Sequence, residues 1–493
     1  MYFIGIDLGT TSIKIIAIDQ SGNIVKSINK EYPILFPKPL WSEQNPDDWW
    51  KQTVDGLKEL LDGMNSEKVK AISFGGQMHG LVMIDDKDKV IRPAILWNDQ
   101  RTEKQCKFLN EKIGRDRLSE MTGNIAITGF TAPKILWIKE NEPENFNKIR
   151  KIMLPKDYLA YRMTGIFATD ISDASGTLCL DVKNRTWSLD MLEIIGINET
   201  QVPRLYESYE VIGNIKPDLA FKLGLKDDVK IVIGGGDQAV AAIGGGIVNP
   251  YSCSLSLGTS GVVFASTDRF ILDEKNRLHS FCHANGKFHV MGVTLAAAAS
   301  LKWWADIVNR SDDFNYILDE AKEAKIDDNI FYLPYLMGER TPHNDPNARG
   351  TFIGMDMTHE RKHMTRAVLE GVAFSLRDTF EIMKDMGIYI SDISINGGGA
   401  QSRLWCEIIA HVLNVRVNKV NTSEGPAYGA AILASVGYGL FDTVEDACEE
   451  FVKITETIKP NKERVELYNI KYKKFKQIYP ATKELFKNLA AKN

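Results

Sequence analysis

The sequence predicts an α/β protein of two domains, and three observations support this prediction. The chain has 493 residues, enough for two or three domains at roughly 100 to 200 residues each. A strand–turn–strand pattern at residues 3–18 recurs at residues 252–265, which indicates two diverged copies of one unit. Strands and helical patterns alternate after each copy. Turn residues around Asn249 place the domain boundary there, giving domains 1–248 and 249–493.

The first half begins with the strand–turn–strand pattern itself. Apolar, β-rich runs at residues 3–7 and 13–18 flank a short turn and predict a β-hairpin. Residues 46–61 have the apolar spacing of a helix, and residues 69–74 are typical of a strand. A further strand at residues 230–233 runs into three glycines.

The second half shows the same alternation after its own hairpin. We predict a helix at 295–308, a long loop at 337–350, a helix at 365–383, a strand at 392–395 and a helix at 402–414. The tail is rich in Lys, but its aromatic residues recur at helical spacing. They are Tyr468, Tyr472, Phe475 and Tyr479. We therefore expect one buried helix face there and a solvated charged face, with no partner.

The composition limits the possible partners. Hydrophobic residues make up 44% and charged residues 25%, with a net charge of -5 and no dense basic stretch, so we expect no nucleic-acid partner. The longest markedly apolar run, residues 293–301, is far shorter than the roughly 20 residues that cross a bilayer, so we expect no membrane partner. The N-terminus does not resemble a signal peptide, and the six cysteines form no CxxC pair. Together these features predict a reduced, cytoplasmic protein.

Two Gly-Thr turns are candidates for phosphate binding. The sequence contains no GxxxxGK[ST] motif, and no GxGxxG follows a strand, so phosphates would be bound in another way. The turn with Thr10, Thr11 and Ser12 and the turn with Gly258 and Thr259 offer backbone amides and hydroxyls that suit phosphate oxygens. Each turn alone is also what a plain hairpin needs. Their recurrence favours two turns that hold one triphosphate.

Two aspartates follow strands at positions suited to chemistry. Asp7 ends the first strand, where an aspartate is otherwise unfavourable, and its carboxylate can hold Mg²⁺ through water. Asp237 follows the glycines at 234–236, which let a ligand approach the backbone closely. Asp237 can act as a general base toward a substrate hydroxyl. It can equally be the N-cap of a helix at 239–243, and the local sequence leaves both interpretations open.

Two other glycine-rich stretches also follow strands. Backbone without side chains at residues 396–400 can face an adenine or ribose ring, although a strand-to-helix turn would look the same. His79 lies among glycines directly after the strand at 69–74. A lone histidine is usually structural, but at a strand end it can hydrogen-bond a polyhydroxylated ligand in a cleft.

One motif favours a different chemistry. Residues 359–363, HERKH, match the HExxH pattern of zinc hydrolases. The segment is predicted at a helix start, and the sequence offers no Cys or further His nearby as a third ligand. We therefore expect no zinc site.

Taken together, these features resemble the FGGY family of carbohydrate kinases over nearly the whole chain. Residues 129–141 and 350–370 are similar to the two signatures of that family, and the second contains HERKH, which gives His363 a position unrelated to zinc. Motifs shared with the xylulokinase members of the family are GGQMHG (75–80), LWNDQR (96–101), LPKDYL (154–159), HSFCHA (279–284) and LPYLMGERTPHNDP (333–346).

The resemblance implies a fold and a set of roles. The fold would be two actin-like ATPase domains, of the ribonuclease H type, with the active site in the cleft between them. Asp237 would be the catalytic base, and Asp7 the acidic residue near Mg²⁺. Sugar contacts are implied for Gln77, Met78, His79 and Gln238, and nucleotide contacts for Thr10, Thr11, Ser12, Gly258, Thr259, Gly399 and Ala400. At Gln238 many xylulokinases have Asn, which bears on the substrate more than on the reaction.

The activity implied by the resemblance is phosphorylation of D-xylulose at its 5-hydroxyl, with ATP and Mg²⁺ as cofactors. D-xylulose and ATP would be the partners, and the sequence leaves monomer and homodimer open. One alternative is a kinase of another ketose or polyol, such as ribulose, L-xylulose or glycerol, because few hydrogen bonds read one hydroxyl's stereochemistry. A more remote alternative is an actin-like ATPase without a sugar substrate.

Overall fold

The structure, a computed structural model, describes residues 1–310, 313–326, 329–422 and 424–490. Strands of the first half are β1 (Tyr2–Leu8), β2 (Ser12–Asp19), β3 (Ile24–Glu31), β4 (Glu43–Gln44), β5 (Val69–Gly76), β6 (Val82–Ile84), β7 (Ala94–Ile95), β8 (Lys151–Met153), β9 (Ala168–Asp170), β10 (Leu180–Asp181), β11 (Thr186–Trp187), β12 (Arg204–Tyr206), β13 (Val211–Asn214), β14 (Lys230–Val232) and β15 (Gly235–Gly236). Its helices are α1 (Pro46–Leu61), α2 (Glu103–Phe108), α3 (Arg115–Thr122), α4 (Thr131–Asn141), α5 (Pro143–Asn147), α6 (Pro155–Thr164), α7 (Ile171–Ala174), α8 (Leu189–Ile195), α9 (Pro217–Leu223) and α10 (Asp237–Gly244).

Strands of the second half are β16 (Cys253–Leu257), β17 (Gly261–Thr267), β18 (His279–Cys282), β19 (Phe288–Thr294), β20 (Phe331–Leu333), β21 (Thr351–Ile353), β22 (Asp392–Asn396), β23 (Arg416–Val420) and β24 (Ile454–Ile458). Its helices are α11 (Ala298–Ile307), α12 (Phe314–Ala321), α13 (Arg361–Asp385), α14 (Arg403–Leu413), α15 (Gly425–Tyr438), α16 (Val444–Phe451) and α17 (Lys462–Ala490). Within the described ranges, none of these helices is both long enough and apolar enough to span a membrane.

Each half is built on one seven-stranded sheet. The first has the order β13-β14-β5-β1-β2-β3, with β15 pairing beside β5, and the second has the order β18-β19-β17-β16-β22-β23-β24. In both, an antiparallel hairpin is flanked by a parallel strand, β5 next to β1 and β22 next to β16. The predicted repeat of hairpins is therefore confirmed, and the two turns occupy equivalent places in their sheets.

The first sheet is covered by helices on both faces because alternate residues of its strands point to opposite sides. Ile4 and Ile6 of β1 share one core with residues of α1, α6 and α9. Phe3 of the same strand belongs to the core on the other face, which includes residues of α10, α15 and α16. The first domain is thus a three-layer α/β structure.

The boundary predicted at residue 249 falls between the two sheets, but the packing does not follow it. Helix α15, from the second half of the chain, lies directly on β1 and α10 of the first. An added Cβ at Gly5 would lie 1.9 Å from the carbonyl oxygen of Ala427, and one at Gly429 would lie 1.9 Å from that of Val240. Only glycine permits this approach. Two helices of residues 249–493, α15 and α16, therefore share a core with the first sheet.

Most elements predicted from periodicity are present. Helix α1 has the predicted bounds. Helix α13 starts four residues earlier than predicted, because its first turn is polar and therefore has no apolar spacing from which to predict it. In α17 the four aromatic residues at helical spacing are all buried, as predicted. The glycines after the strand predicted at 230–233 are themselves partly a strand: Gly235 and Gly236 form β15 and pair with Gly75 and Gly76 of β5.

Candidate functional site

Asp7 and Asp237 lie at the same edge of the first sheet. Asp7 is the second-last residue of β1, and Asp237 follows β15, and these two strands lie on either side of β5 in parallel pairing. The carboxyl ends of parallel strands meet at one edge, where open α/β sheets bind ligands. Burial raises the pKa of Asp7 to about 7, the negative charge of Asp237 adds to this shift, and Lys14 opposes it.

Asp237 is not used to cap its helix. The N-cap of α10 is Gly236, and no side-chain hydrogen bond caps this helix. The capping interpretation of Asp237 is therefore wrong. Burial raises the pKa of Asp237 to about 6, while hydrogen bonds from Gln238 act against the shift. The carboxylate is thus available to accept a proton near neutral pH.

A buried charged network supports the backbone just before Asp237. The amide of Gly236 donates to the hydroxyl of Ser172 at 3.2 Å, and this hydroxyl donates to the carboxylate of Asp170 at 2.5 Å. Asp170 also accepts from Ser208 at 2.7 Å and pairs with Lys156 at 2.8 Å. The network fixes the path of the chain into α10. No periodic pattern indicates it, and only the LPKDYL motif includes one of its members.

Met78 lies against the backbone that leads to Asp237. An added Cβ at Gly236 would be 3.0 Å from the sulfur of Met78, and one at Gly176 would be 2.9 Å from the Met78 methyl group. Met78, one of the residues with implied sugar contacts, therefore packs against Gly236 at the junction of β15 and α10.

His79 presents one ring nitrogen as an acceptor. Its Nδ1 lies 2.7 Å from the carbonyl oxygen of Gly176, which can only accept, so Nδ1 carries the hydrogen and Nε2 is an acceptor. Burial, and next the positive charge of Lys134, lower the pKa of His79 to about 3. A neutral imidazole with a free acceptor suits a sugar hydroxyl, which donates the hydrogen.

Side chains from both halves of the chain meet around His79. The ring of Phe130 lies between His79 and His279 of β18, with centroid distances of 4.8 and 5.7 Å. Arg340, from the second half, is close enough for its charge to lower the pKa of both histidines, after the larger effect of burial on each. His79, a predicted sugar contact, therefore lies where side chains of the two halves of the chain meet. Neither His279 nor Arg340 was among the predicted site residues.

Gln77 points toward the first phosphate turn rather than toward His79. Its amide donates to the side-chain oxygen of Gln44 at 3.0 Å, and Gln44 donates to the carbonyl of Thr10 at 2.7 Å. Trp97 donates to the hydroxyl of Thr10 at 3.0 Å. The turn of Thr10, Thr11 and Ser12 is thus held from behind by buried amides, and a predicted sugar contact serves as one of its supports.

The second phosphate turn opens onto a cavity of about 530 Å³, a size typical of ligand pockets. Its polar lining residues are Thr259, Lys302, Asn315, Gln401 and Ser402, its glycine and alanine residues are Ala298, Ala299, Gly398 and Gly399, and its larger apolar residues are Leu301, Phe314, Leu318 and Trp405. Two predicted nucleotide contacts, Thr259 and Gly399, therefore share one cavity. Gly258 and Ala400 are not in its lining, and Ala400 is buried in the core. The apolar wall was not predicted.

Asp7 has a carboxylate oxygen that is suited to binding a metal ion. Its Oδ1 atom is buried and has no hydrogen-bond partner within the described chain, and an oxygen left in this state is costly unless a ligand satisfies it. The described residues contain no group of three or more His, Cys, Asp or Glu side chains that could hold a metal ion. In HERKH, the Nδ1 atoms of His359 and His363 accept backbone hydrogen bonds from Asp356 and Glu360.

Comparisons with known proteins identify the architecture. The N-terminal domain model of the FGGY family of carbohydrate kinases matches residues 2–244, and the C-terminal domain model of that family matches residues 253–438. The chain is 42% identical to the xylulose kinase of Bacillus subtilis, over 98% of both chains. A crystal structure of a xyloylose kinase from Brucella ovis has a TM-score of 0.94 and 37% identity over 98% of this chain and all of the other. A gluconate kinase from Lactobacillus acidophilus has a TM-score of 0.95 and 27% identity, over 99% of both chains.

Proposed function

The chain belongs to the FGGY family of carbohydrate kinases, and from that premise we propose that it transfers the γ-phosphoryl group of ATP to the 5-hydroxyl of D-xylulose. The products are D-xylulose 5-phosphate and ADP. The observation that carries this proposal is the position of Asp237. Its shielded carboxylate has no capping role, directly follows the Gly236 backbone on which Met78 packs, and lies at the strand edge that also holds Asp7.

In the proposed reaction Asp237 is the general base. Its carboxylate takes the proton of the 5-hydroxyl while the hydroxyl oxygen attacks the γ-phosphorus and ADP leaves. The pKa of Asp237, raised to about 6, is close to neutral pH, and a general base is most effective when its pKa is near the working pH. The buried network behind Gly236 holds the start of α10, so the carboxylate is oriented before the substrate binds.

The two turns and the cavity would hold ATP. The nucleoside lies in the cavity lined by Thr259, Gly399 and Phe314, and the phosphates extend toward Thr10 and its turn. Asp7 would hold Mg²⁺, since its buried Oδ1 lacks any other partner in the described chain. The bound ion supplies positive charge that neutralises the phosphate oxygens.

His79 and Met78 would hold the sugar. The Nε2 atom of His79 accepts a hydrogen bond from a sugar hydroxyl, and Met78 forms an apolar surface beside the carbon chain. Gln238, which directly follows the base, is half-buried and can reach a further hydroxyl. A cytoplasmic location, and the choice between monomer and homodimer, stay predictions from the sequence.

A second candidate is a kinase that acts on another polyol. The fold of this chain is equally close to a gluconate kinase, so the architecture alone does not choose the sugar. The choice depends on the residues that meet the sugar hydroxyls, His79 and Gln238 among them.

One experiment tests both candidates. Release of ADP from ATP and Mg²⁺ is measured with D-xylulose, L-xylulose, D-ribulose, L-ribulose, glycerol, gluconate and no sugar, for the natural protein and for Asp237→Asn. We expect strong dependence on D-xylulose and a loss of about 10² to 10⁴-fold in the variant. Release only with another sugar would change the substrate and keep the mechanism. Equal release without sugar would overturn the kinase assignment, and a fully active variant would remove Asp237 from it.

A further inference from the structure

A second cavity, here called the basic cavity, is lined in part by residues of α14, as is the cavity of Thr259 and Gly399, here called the nucleotide cavity. Its volume is about 410 Å³, which is within the range of small-molecule sites. Cationic or imidazole side chains in its lining are Lys322, Lys325, Arg366, His411 and Arg464, and aliphatic ones are Ala324, Ile326, Leu404, Ile408 and Leu467. It has no part in the proposed reaction.

Two of its cations are not neutralised within the described chain. Lys325 and Arg464 take part in none of the ion pairs there, whereas Lys322 pairs with Asp319 at 2.6 Å. Arg366 is buried and fully engaged, donating to Glu370, Tyr468 and two backbone carbonyls. Positive charge of this kind, gathered in a concave site, attracts anions.

Glu407 is the one acidic residue among the described residues of the lining, and it does not cancel these charges. Glu407 accepts from Arg403 at 3.0 Å, so its carboxylate is already paired with a cation outside the cavity. With Glu407 counted, the lining residues that the structure describes still carry an excess of positive side chains.

His411 adds a buried polar group to the same lining. It is only 5% exposed, and its ring makes none of the hydrogen bonds found in the described chain. Burial, and next the nearby charge of Arg464, lower the pKa of His411 to about 4, so the ring is neutral near pH 7. A neutral imidazole has one N–H to donate. An anionic oxygen in the cavity would accept this hydrogen.

The two cavities share two helices. The beginning of α12 lines the nucleotide cavity through Phe314 and Leu318, and the residues just after α12 line the basic cavity through Lys322 and Lys325. In α14, Trp405 lines the nucleotide cavity. Its neighbour Leu404 and, further along, His411 line the basic cavity. A ligand in one cavity therefore contacts the elements that form the wall of the other.

We propose that the basic cavity binds the phosphate group of a small phosphate monoester and that its occupancy is coupled to the nucleotide cavity through α12 and α14. Lys325 and Arg464 pair with the phosphate oxygens, and His411 donates its N–H to one of them. The carbon part of the ester lies against Leu404, Ile408 and Leu467. This aliphatic surface is the reason to favour an ester over inorganic phosphate.

The test uses phosphoenolpyruvate as the ester probe and inorganic phosphate as the second probe. Binding to the full chain is measured by calorimetry with ADP and D-xylulose both saturating, so that the active site is filled. We expect one saturable site for phosphoenolpyruvate, weakened at least about tenfold in the double variant Lys325→Gln, Arg464→Gln. The matched control is Lys183→Gln, Arg115→Gln, which removes the same charges from exposed positions of the first half.

The coupling is measured by repeating the titration without ADP. We expect the dissociation constant of phosphoenolpyruvate to change at least about fivefold, with a reciprocal change in the ADP affinity. No saturable binding of either probe, or equal weakening in both double variants, would overturn the site. Inorganic phosphate binding as tightly as the ester would overturn the assignment to an ester, and identical titrations with and without ADP would overturn the coupling. None of these outcomes depends on which sugar the enzyme phosphorylates.

Discussion

Lys134 donates its ammonium hydrogen to the backbone carbonyl of His79 at 2.8 Å. His79 has a φ of 69°, a left-handed conformation that costs about 1 to 3 kcal/mol for a residue with a side chain. The hydroxyl of Thr131 donates to the same carbonyl at 3.1 Å, and Lys134 also donates to Gly129 at 2.5 Å. A fully buried lysine of α4 thus holds a strained residue of the sugar end in place.

The first prediction concerns this anchor. In Lys134→Met the carbonyl of His79 loses the hydrogen bond from Lys134, so His79 relaxes and the sugar binds less well. We expect KM for D-xylulose to rise at least about tenfold, with KM for ATP changed less than about twofold. The control is Lys139→Met, an exposed position on the same helix. A fall in kcat with an unchanged KM for the sugar would contradict a positioning role.

The second prediction is the pH dependence of turnover. Burial raises the pKa of Asp237 to about 6, and only its ionised form can take the proton of the sugar. We therefore expect kcat/KM for D-xylulose to rise as the pH increases through about 6 and then to level off. Circular dichroism over the same range controls for unfolding. A profile that is flat from pH 5 to pH 7.5 would show that no such group is titrated in the free enzyme.

The third prediction uses two adjacent glycines of the nucleotide cavity. A Cβ at Gly399 would lie 2.6 Å from Leu257 and 3.0 Å from Trp405, whereas a Cβ at Gly398 would meet nothing within 4 Å. We expect Gly399→Ala to lower the free energy of unfolding by about 1 to 3 kcal/mol, because core side chains must shift. Gly398→Ala should leave it nearly unchanged in denaturant titrations. Equal losses in the two variants would contradict this close packing.

The fourth prediction concerns the network beneath Asp237. Lys156 is fully buried and pairs with Asp157 at 2.6 Å and Asp170 at 2.8 Å, with Asp173 at 3.9 Å. In Lys156→Met these buried carboxylates lose their cation, and we expect a loss of about 3 to 5 kcal/mol in the free energy of unfolding.

The control for that measurement is an exposed ion pair of the same type. Lys104 pairs with Glu140 at 3.0 Å and is 83% exposed, so Lys104→Met should cost less than about 1 kcal/mol. If the two lysine variants lost the same stability, the network would not have the structural role given to it here.

Much of the fold could be predicted from sequence because its signals are local. The spacing of apolar residues gave α1 its bounds and identified the buried face of α17. The pairing of Gly235 and Gly236 with β5 was missed, because glycines have no strand propensity of their own. They form a strand only through pairing with the neighbouring β5. The place of α15 was missed for a related reason: a uniformly apolar helix shows that it is buried, not which sheet buries it.

The residues of the candidate site also fall into two groups: those that local sequence indicates and those that only packing brings together. Asp7, Asp237 and His79 could be chosen as candidates from sequence because each ends or follows a strand beside glycines, a position that signals ligand binding. The apolar wall of the nucleotide cavity and the charged network behind Asp237 were not. Their members are separated along the chain, and the packing of the whole domain brings them together.

The position of α15 also has a consequence for the order in which the protein can fold during its synthesis. The sheet that carries Asp7 is complete once β15 has been made, but one of its faces is covered by α15 and α16, which end at Tyr438 and Phe451. The ribosome must therefore release nearly the whole chain before that face is closed. Until then the first domain exposes an apolar surface, so the usual advantage of folding the N-terminal domain first is not open to this enzyme.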